Sequence, residues 1–455
     1  MQRPYRILDL FAGIGGLSYG FEMVQPNGNK AFELVCAVEI DTYACDTFRI
    51  NLEKRGLDPS VVLQADLTDP LTHRLIMEKC RDGVDIIVGG PPCQSFSHIG
   101  PRCAKANIRQ KWENDPRDLL YLEYINLVKD LNPSFLVFEN VKGILTKKDE
   151  EGQRYINRIV QSMYDCGYST KIDGEENDYI IINAADYGVP QTRERVFILA
   201  NNRGCTVKPP IRAHSQQGQI EDTLPWVTLW EAIGDLPPVQ ADITPWGLTE
   251  RQKKRLAATN HERYRGEEEA PYHWDRFYQH YENLTLAGQR FLDFISPDFK
   301  DTKLTAHVAR GQQSSDIQFF ERLPEGMSTR ELFRSNDPKL LSLRKYVKYD
   351  MNSFKDKYRK QSWSEPCTTI FAHMQKDGNR FIHPDSSQAR TLTVREAARI
   401  QCFPDNFVFT APGNVRYHYI GNAVPPLMAK AVATSVYNAL ESEKKPDIEI
   451  RDLVL

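Results

Sequence analysis

The stretch ILDLFAGIGGLSYGFE, Ile7 to Glu22, decides the fold. An apolar run, ILDL, passes through Gly13, Gly15 and Gly16 into a segment with helical spacing. A strand, a glycine turn and a helix make the first unit of a dinucleotide- or nucleoside-binding sheet, where glycine lets the backbone turn tightly and approach a ligand. Glycine turns also arise for packing alone. The third glycine of GxGxxG is missing, with Ser18 in its place, and no GxxxxGK[ST] loop occurs. A nucleoside cofactor with an aromatic platform, Phe11, therefore fits better than a pyrophosphate. S-adenosylmethionine is such a molecule.

Further runs follow with the same character: LVCAVE, DIIVGG and SFLVFEN. Continuous Val/Ile/Leu/Phe runs of this length read as buried strands. Amphipathic stretches such as LLYLEYINLVKDL, 119–131, lie between them. Strand–helix alternation predicts a parallel sheet with helices on both faces. YIIIN and RVFILA, close together after Tyr179, are expected to form an antiparallel edge. Glu39 ends the second strand, where a carboxylate accepts bonds from ribose hydroxyls. Asp66, in LQADL, is a further acidic strand end suited to an adenine amino group.

The fourth strand leads into GGPPCQ, Gly89 to Gln94. Cys93 thus sits on a stiff turn. Most unpaired cysteines are buried structure, but a thiol at a sheet edge can also be a positioned nucleophile. The next strand ends in Glu139, at the edge where open α/β sheets bind ligands. In QTRER, 191–195, alternation puts Arg193 and Arg195 on one face and Glu194 on the other. Such pairs are more often salt-bridged structure, yet beside a cysteine and a carboxyl they suit an oxyanion or a base carbonyl.

From about Asn201 prolines cluster and the rhythm is lost until about 388, where TLTVREAARIQ and PPLMAKAVATSVYNAL read as helices. The expected division is 1–200 for an α/β catalytic domain, 201–387 for an irregular second domain and 388–455 for a return to the first. The 455 residues carry a net charge of −3, which neither announces nor excludes nucleic acid. No apolar run reaches the roughly 20 residues of a membrane span. The opening residues run straight into patterned structure, so no cleaved secretion signal is expected. Nine scattered cysteines without a CxxC pair suggest no metal site and suit reduced thiols in the cytoplasm.

FAGIGG, PPCQ, ENV, QTRER, RTLTVREAARIQCFPD and GNAVPP together resemble, in order, the motifs of the DNA (cytosine-5)-methyltransferase family. The resemblance covers about the first 200 residues and 388–440. It implies a Rossmann-like S-adenosylmethionine-dependent sheet with a target-recognition domain between the two parts, and a type found in prokaryotic restriction–modification systems. It implies catalysis by Cys93, Glu139, Arg193 and Arg195 on a cytosine flipped from duplex DNA. Cofactor contacts are implied at Phe11, Gly13, Ile14, Gly16, Glu39, Ile40, Asp66, Leu67, Pro92, Asn422, Ala423 and Val424. Where the family usually carries glutamine, two places before the late glycine, this chain has Tyr419.

For DNA itself, Gln94, Ser95, Arg109 and Lys111 fall on the polar segment after Cys93, the family's closing loop. Between Lys339 and Lys360 eight bases face two acids, a local +6, with Lys345 and Lys348 among the expected phosphate contacts. HVARGQQSS, 307–315, is expected to present Arg310, Gln312 and Gln313 to base edges, since arginine pairs with guanine and glutamine with adenine. Rival expectations are an RNA-methylating relative and a catalytically silent DNA-binding relative. The large middle segment speaks against the first and the intact Cys93, Glu139 and arginines against the second. A monomer is expected, with a cognate endonuclease sharing the site but not necessarily in contact.

Overall fold

The computed structural model describes residues 3–92, 119–244, 249–261, 263–296, 303–349 and 356–442. The chain divides into two compact units. One comprises residues 1–187, 193–213 and 423–455; the other comprises 188–192 and 214–422.

The first unit is built on seven strands: β1 (Tyr5–Leu10), β2 (Phe32–Glu39), β3 (Val62–Gln64), β4 (Ile86–Gly89), β5 (Phe135–Val141), β6 (Ile180–Asn183) and β7 (Glu194–Asn201). Their order is β3-β2-β1-β4-β5-β7-β6. The first five pair in parallel. β7 runs antiparallel to both β5 and β6, so the expected reversal is present. β7 is nevertheless internal and β6 forms the edge. The burial of the two agrees: β7 is buried from Arg195 to Asn201, whereas Ile181 of β6 is 40% exposed.

The core of this unit is apolar on both sheet faces. Leu8, Leu10, Ile87, Leu136 and Phe138 pack against Tyr124, Ile125 and Val128 of the helix Tyr121–Leu131, at the stretch that the sequence marked as amphipathic. Burying such side chains is worth roughly 1.5–3 kcal/mol each before entropy is counted. The helix Pro426–Ser442 returns from the far end of the chain to lie on Gly16–Glu22. Gly20 makes that approach possible: a Cβ there would lie 2.3 Å from the Ala429 Cβ.

The second unit has no large sheet among its described residues. Its strands are two-residue pairings, such as Gln191–Thr192 with Cys367–Thr368. One apolar cluster joins Phe319, Phe320, Leu323, Leu332, Tyr358 and Ile382. The helix Val394–Ile400 is buried throughout. It starts at a capping box, with the Thr393 hydroxyl accepting from Glu396 N and the Glu396 carboxylate accepting from Thr393 N at 2.7 Å. The compact units therefore depart from the expected boundaries. Residues 388–422 belong with the irregular unit, and the return to the sheet starts at 423. Arg390, Arg395 and Arg399 are 0–1% exposed, and their bonds run to residues of the second unit.

Candidate active site

The carboxy-terminal ends of β1, β2, β3, β4 and β5 share one edge, because those strands are parallel. At β1, Phe11 adopts φ +59° and Gly13 φ +56°. The turn lies against β2 through Gly13 N, which donates to Glu39 Oε2 at 2.9 Å. Ile40 N and Asp41 N donate to Glu39 Oε1 at 2.8 and 2.9 Å. These use three of the roughly four acceptor positions of a carboxylate. One remains, on Oε2, so Glu39 has room for one ligand hydroxyl. Beside it Ile40, a large apolar side chain, is 61% exposed. Asp66 is also exposed, with Oδ1 taken by Thr68 N at 2.9 Å.

A half-buried aromatic, an open glycine turn, a pre-oriented carboxylate and an uncovered isoleucine on one edge fit the nucleoside part of S-adenosylmethionine. Ile14 and Leu67 are buried, 2% and 5% exposed, so their side chains offer a ligand little surface. Gly16 opens the first helix. Pro92 is half-buried, Asn422 is exposed and bonded to His418 at 3.1 Å, and Val424 is buried. The Ala423 carbonyl accepts from Arg193 Nη2 at 3.0 Å.

Beneath the glycine turn lies a feature the sequence reading passed over. Asp9 is 1% exposed and accepts a short hydrogen bond from the Ser18 hydroxyl. Burial pushes its carboxyl up to about 7, against the pull of that bond. Ser18, where GxGxxG has its third glycine, is thus a partner for a buried acid.

At β5 the chain delivers two side chains in succession. Glu139 pairs with Arg195 of β7, Nε to Oε1 3.0 Å, both nearly buried. Burial raises the Glu139 carboxyl above its ordinary range, while Arg195 and then Arg193 pull it down. Gly90 leaves room for this carboxylate: a Cβ there would lie 2.7 Å from Glu139 Oε2 and would push it out of its present place. Next along the chain, buried Asn140 donates from Nδ2 to the Pro91 carbonyl at 3.2 Å, and its Oδ1 accepts from Val141 N at 2.9 Å. Asn140 so ties the Pro91–Pro92 turn to the strand that carries Glu139. The alternation read in QTRER is present: Arg193 and Arg195 are buried, while Glu194 is exposed and paired with Lys142 at 3.0 Å. Cys93, Gln94, Ser95, Arg109 and Lys111 lie outside the described residues.

The expected DNA-reading residues fare differently. Gln312 is buried and donates to Thr391 Oγ1 at 3.2 Å, so it is not presented to a base. The Arg310 guanidinium lies 4.6 Å from the Tyr417 ring centroid and donates to the Met374 carbonyl at 2.9 Å. Gln313 accepts from Lys348, which also pairs with Asp316 at 3.2 Å. Within the basic segment, Lys360 is fully buried against the Phe320 carbonyl at 2.9 Å, and Arg344 donates to the carbonyls of Phe333 and Ser335. Lys357 pairs with Asp377 at 2.7 Å. Lys345 remains exposed. Four of the eight bases are therefore engaged within the fold, two of them with carboxylates. Tyr419 is buried, edge-on to His418 at 5.6 Å.

Residues 5–438 match the family model for the C-5 cytosine-specific DNA methylase. The Type II methyltransferase M.XorII of Xanthomonas oryzae is 30% identical, covering 98% of this chain and 87% of that protein. M.DdeI of Desulfomicrobium norvegicum is 31% identical over 94% of this chain and 88% of its own length. A solved candidate DNA modification methyltransferase from an E. coli prophage shares the fold with a TM-score of 0.60, at 22% identity, over 96% of this chain and 99% of that one. With its Rossmann-like sheet and a match spanning nearly its whole length, this chain belongs to the C-5 cytosine-specific DNA methylases and is a DNA (cytosine-5-)-methyltransferase.

Proposed function

We propose that the chain methylates carbon 5 of a cytosine flipped out of duplex DNA, through a transient bond from Cys93 to the ring, with S-adenosylmethionine as cofactor. The observation that carries this reading is the Glu139–Arg195 pair, set against Gly90 in the turn leading to Cys93. Burial shifts the Glu139 carboxyl toward its protonated form, the form that the proposed donation to ring nitrogen 3 requires.

Carbon 5 of cytosine is too weak a nucleophile unaided. The Cys93 thiolate adds to carbon 6, forming the S–C6 bond, and the displaced ring electrons become available at carbon 5. Glu139 relieves the charge at nitrogen 3 by giving its proton. Arg195 holds the Glu139 carboxyl in place, and Arg193 and Arg195 together suit the base oxygen. Phe11, the Gly13 turn, Glu39, Ile40 and Asp66 would hold S-adenosylmethionine, which when bound supplies an electrophilic methyl. After transfer a base takes the carbon-5 proton, the C5–H electrons reform the double bond, the S–C6 bond breaks to release the Cys93 thiolate, and nitrogen 3 returns its proton to Glu139. A base stacked in a duplex is out of reach of such a site, so flipping is required.

The Type II relatives support a restriction–modification setting, in which the chain protects DNA from an endonuclease that reads the same site. We place it as a monomer in the cytoplasm. The test is a trap. Duplex DNA carrying 5-fluorocytosine at the target, with S-adenosylmethionine, is expected to leave a covalent complex, because fluorine cannot leave as a proton does. Cys93→Ala should abolish both complex and turnover. Turnover by Cys93→Ala would remove the thiol from the chemistry, and an adduct on transfer RNA but not on DNA would reassign the substrate.

A further inference from the structure

Four of the Lys339–Lys360 bases, Arg344, Lys348, Lys357 and Lys360, are bonded within the fold, so another surface of the second unit can also meet the DNA backbone. The helix Glu250–His261, ERQKKRLAATNH, stands apart among the described helices of that unit. Four of its residues, Arg251, Lys253, Lys254 and Arg255, are basic against one acid, Glu250. Its side chains from Glu250 to Arg255 are all exposed. Lys253 is drawn back to Glu250 at 2.7 Å. Arg251 and Lys254 make no ion pair among the described residues.

The helix start is fixed locally. Thr249 Oγ1 and N both donate to Gln252 Oε1 at 2.8 Å, and Gln252 N donates back to Thr249 Oγ1 at 3.4 Å, a capping box. From that start, positions 251, 254 and 255 fall on one face, being three and four residues apart. Leu256 is the one large apolar residue in the helix sequence. A twelve-residue helix of that composition draws little stability from a core and is marginal alone. Three cations on one exposed face suit a row of phosphates, since neutralising phosphates releases counterions and favours binding independently of sequence.

We propose that the face formed by Arg251, Lys254 and Arg255 is a contact surface for the phosphate backbone of duplex DNA. The inference rests on the chain being a DNA methyltransferase, and gives that enzyme a backbone contact distinct from base readout. The experiment measures DNA affinity of the full chain against KCl concentration. The triple variant R251Q/K254Q/R255Q should reduce the slope of log K against log salt by about 2–3, at about 0.9 per phosphate. The charge-conserving R251K/R255K should keep the parent slope, which separates lost charge from a melted helix. K30Q/R81Q/K129Q, equally exposed in the sheet unit, should also keep it. An unchanged slope in the triple variant, or an equal change in the sheet-unit variant, overturns the proposal. Absence of DNA methylation by the parent chain would instead fault the functional reading, not the helix.

Discussion

In the sheet unit buried charge marks the site; in the irregular unit it is the framework. Asp9, Arg193 and Arg195 are the buried ionic side chains nearest the strand ends of the first unit, and all sit at or under the candidate site. In the second unit Arg390, Arg395, Arg399, Glu396, Asp405 and Asp235 are equally buried but pair with one another. Arg390 grips Glu396 with two bonds of 2.7 Å. Arg399 bridges Asp235 at 2.5 Å and Asp405 at 2.7 and 2.8 Å. A buried ionisable group is thus a pointer to chemistry only where a sheet already supplies the core.

The largest expected effect breaks that framework. Arg399→Leu leaves Asp235 and Asp405 buried without their cation. Removing one partner of a buried pair costs about 3–5 kcal/mol. Denaturant unfolding should show a loss of that size, with the second unit melting first. Adding Asp235→Asn and Asp405→Asn should recover part of it, because the stranded charges are then gone. If the single variant costs under about 1 kcal/mol, apolar packing holds the irregular unit and the contrast fails.

The same contrast explains what the sequence discloses. β1, β2, β4 and β5 are legible because each is a short apolar run ending in a residue that chemistry can use: the glycine turn, Glu39, Gly89–Gly90 and Glu139. Arg195 is legible by alternation. The boundary expected at 388 was not, because the helix Val394–Ile400 is held by partners far away in the chain; Arg399 and Asp235 are 164 residues apart. No local pattern announces such a pair. For the same reason the Lys339–Lys360 segment reads as a phosphate surface when counted, although Lys360 and Arg344 point inward to carbonyls. Asn140 stood in the quoted ENV motif, but its bond to Pro91 links residues 49 apart in the chain.

A smaller effect tests whether the sheet unit depends on close packing as the irregular one depends on charge. Gly20→Ala drives a methyl into Ala429 and the backbone of Lys430, which are 2.3 and 2.6 Å from the added carbon. Overpacking of this kind costs about 1–3 kcal/mol. The expected outcome is a lower unfolding midpoint, restored in part by Ala429→Gly.

The effect that is smallest over any single pH unit concerns Asp9, a buried carboxyl of the sheet unit whose hydrogen bond comes from a hydroxyl and not from a cation. Burial holds it up to about 7, well above an ordinary aspartate, so over the interval between those values the folded chain keeps a proton that the unfolded chain has lost. Stability of the parent must then fall as pH rises through that window, by about 1.4 kcal/mol per unit at most. Below it both states are protonated, and above it both are ionised, so the slope vanishes at each end. An asparagine at this position has no proton to lose yet still accepts from Ser18. Asp9→Asn should therefore match the parent near pH 4 and overtake it progressively toward pH 7, with a change of about 1 kcal/mol between pH 6 and pH 7. Parallel pH profiles for the two proteins would mean that Asp9 stays ionised under the turn. The sheet unit would then hold, besides Arg193 and Arg195, a buried carboxylate whose partner is a hydroxyl, where the irregular unit pairs its buried charges with one another.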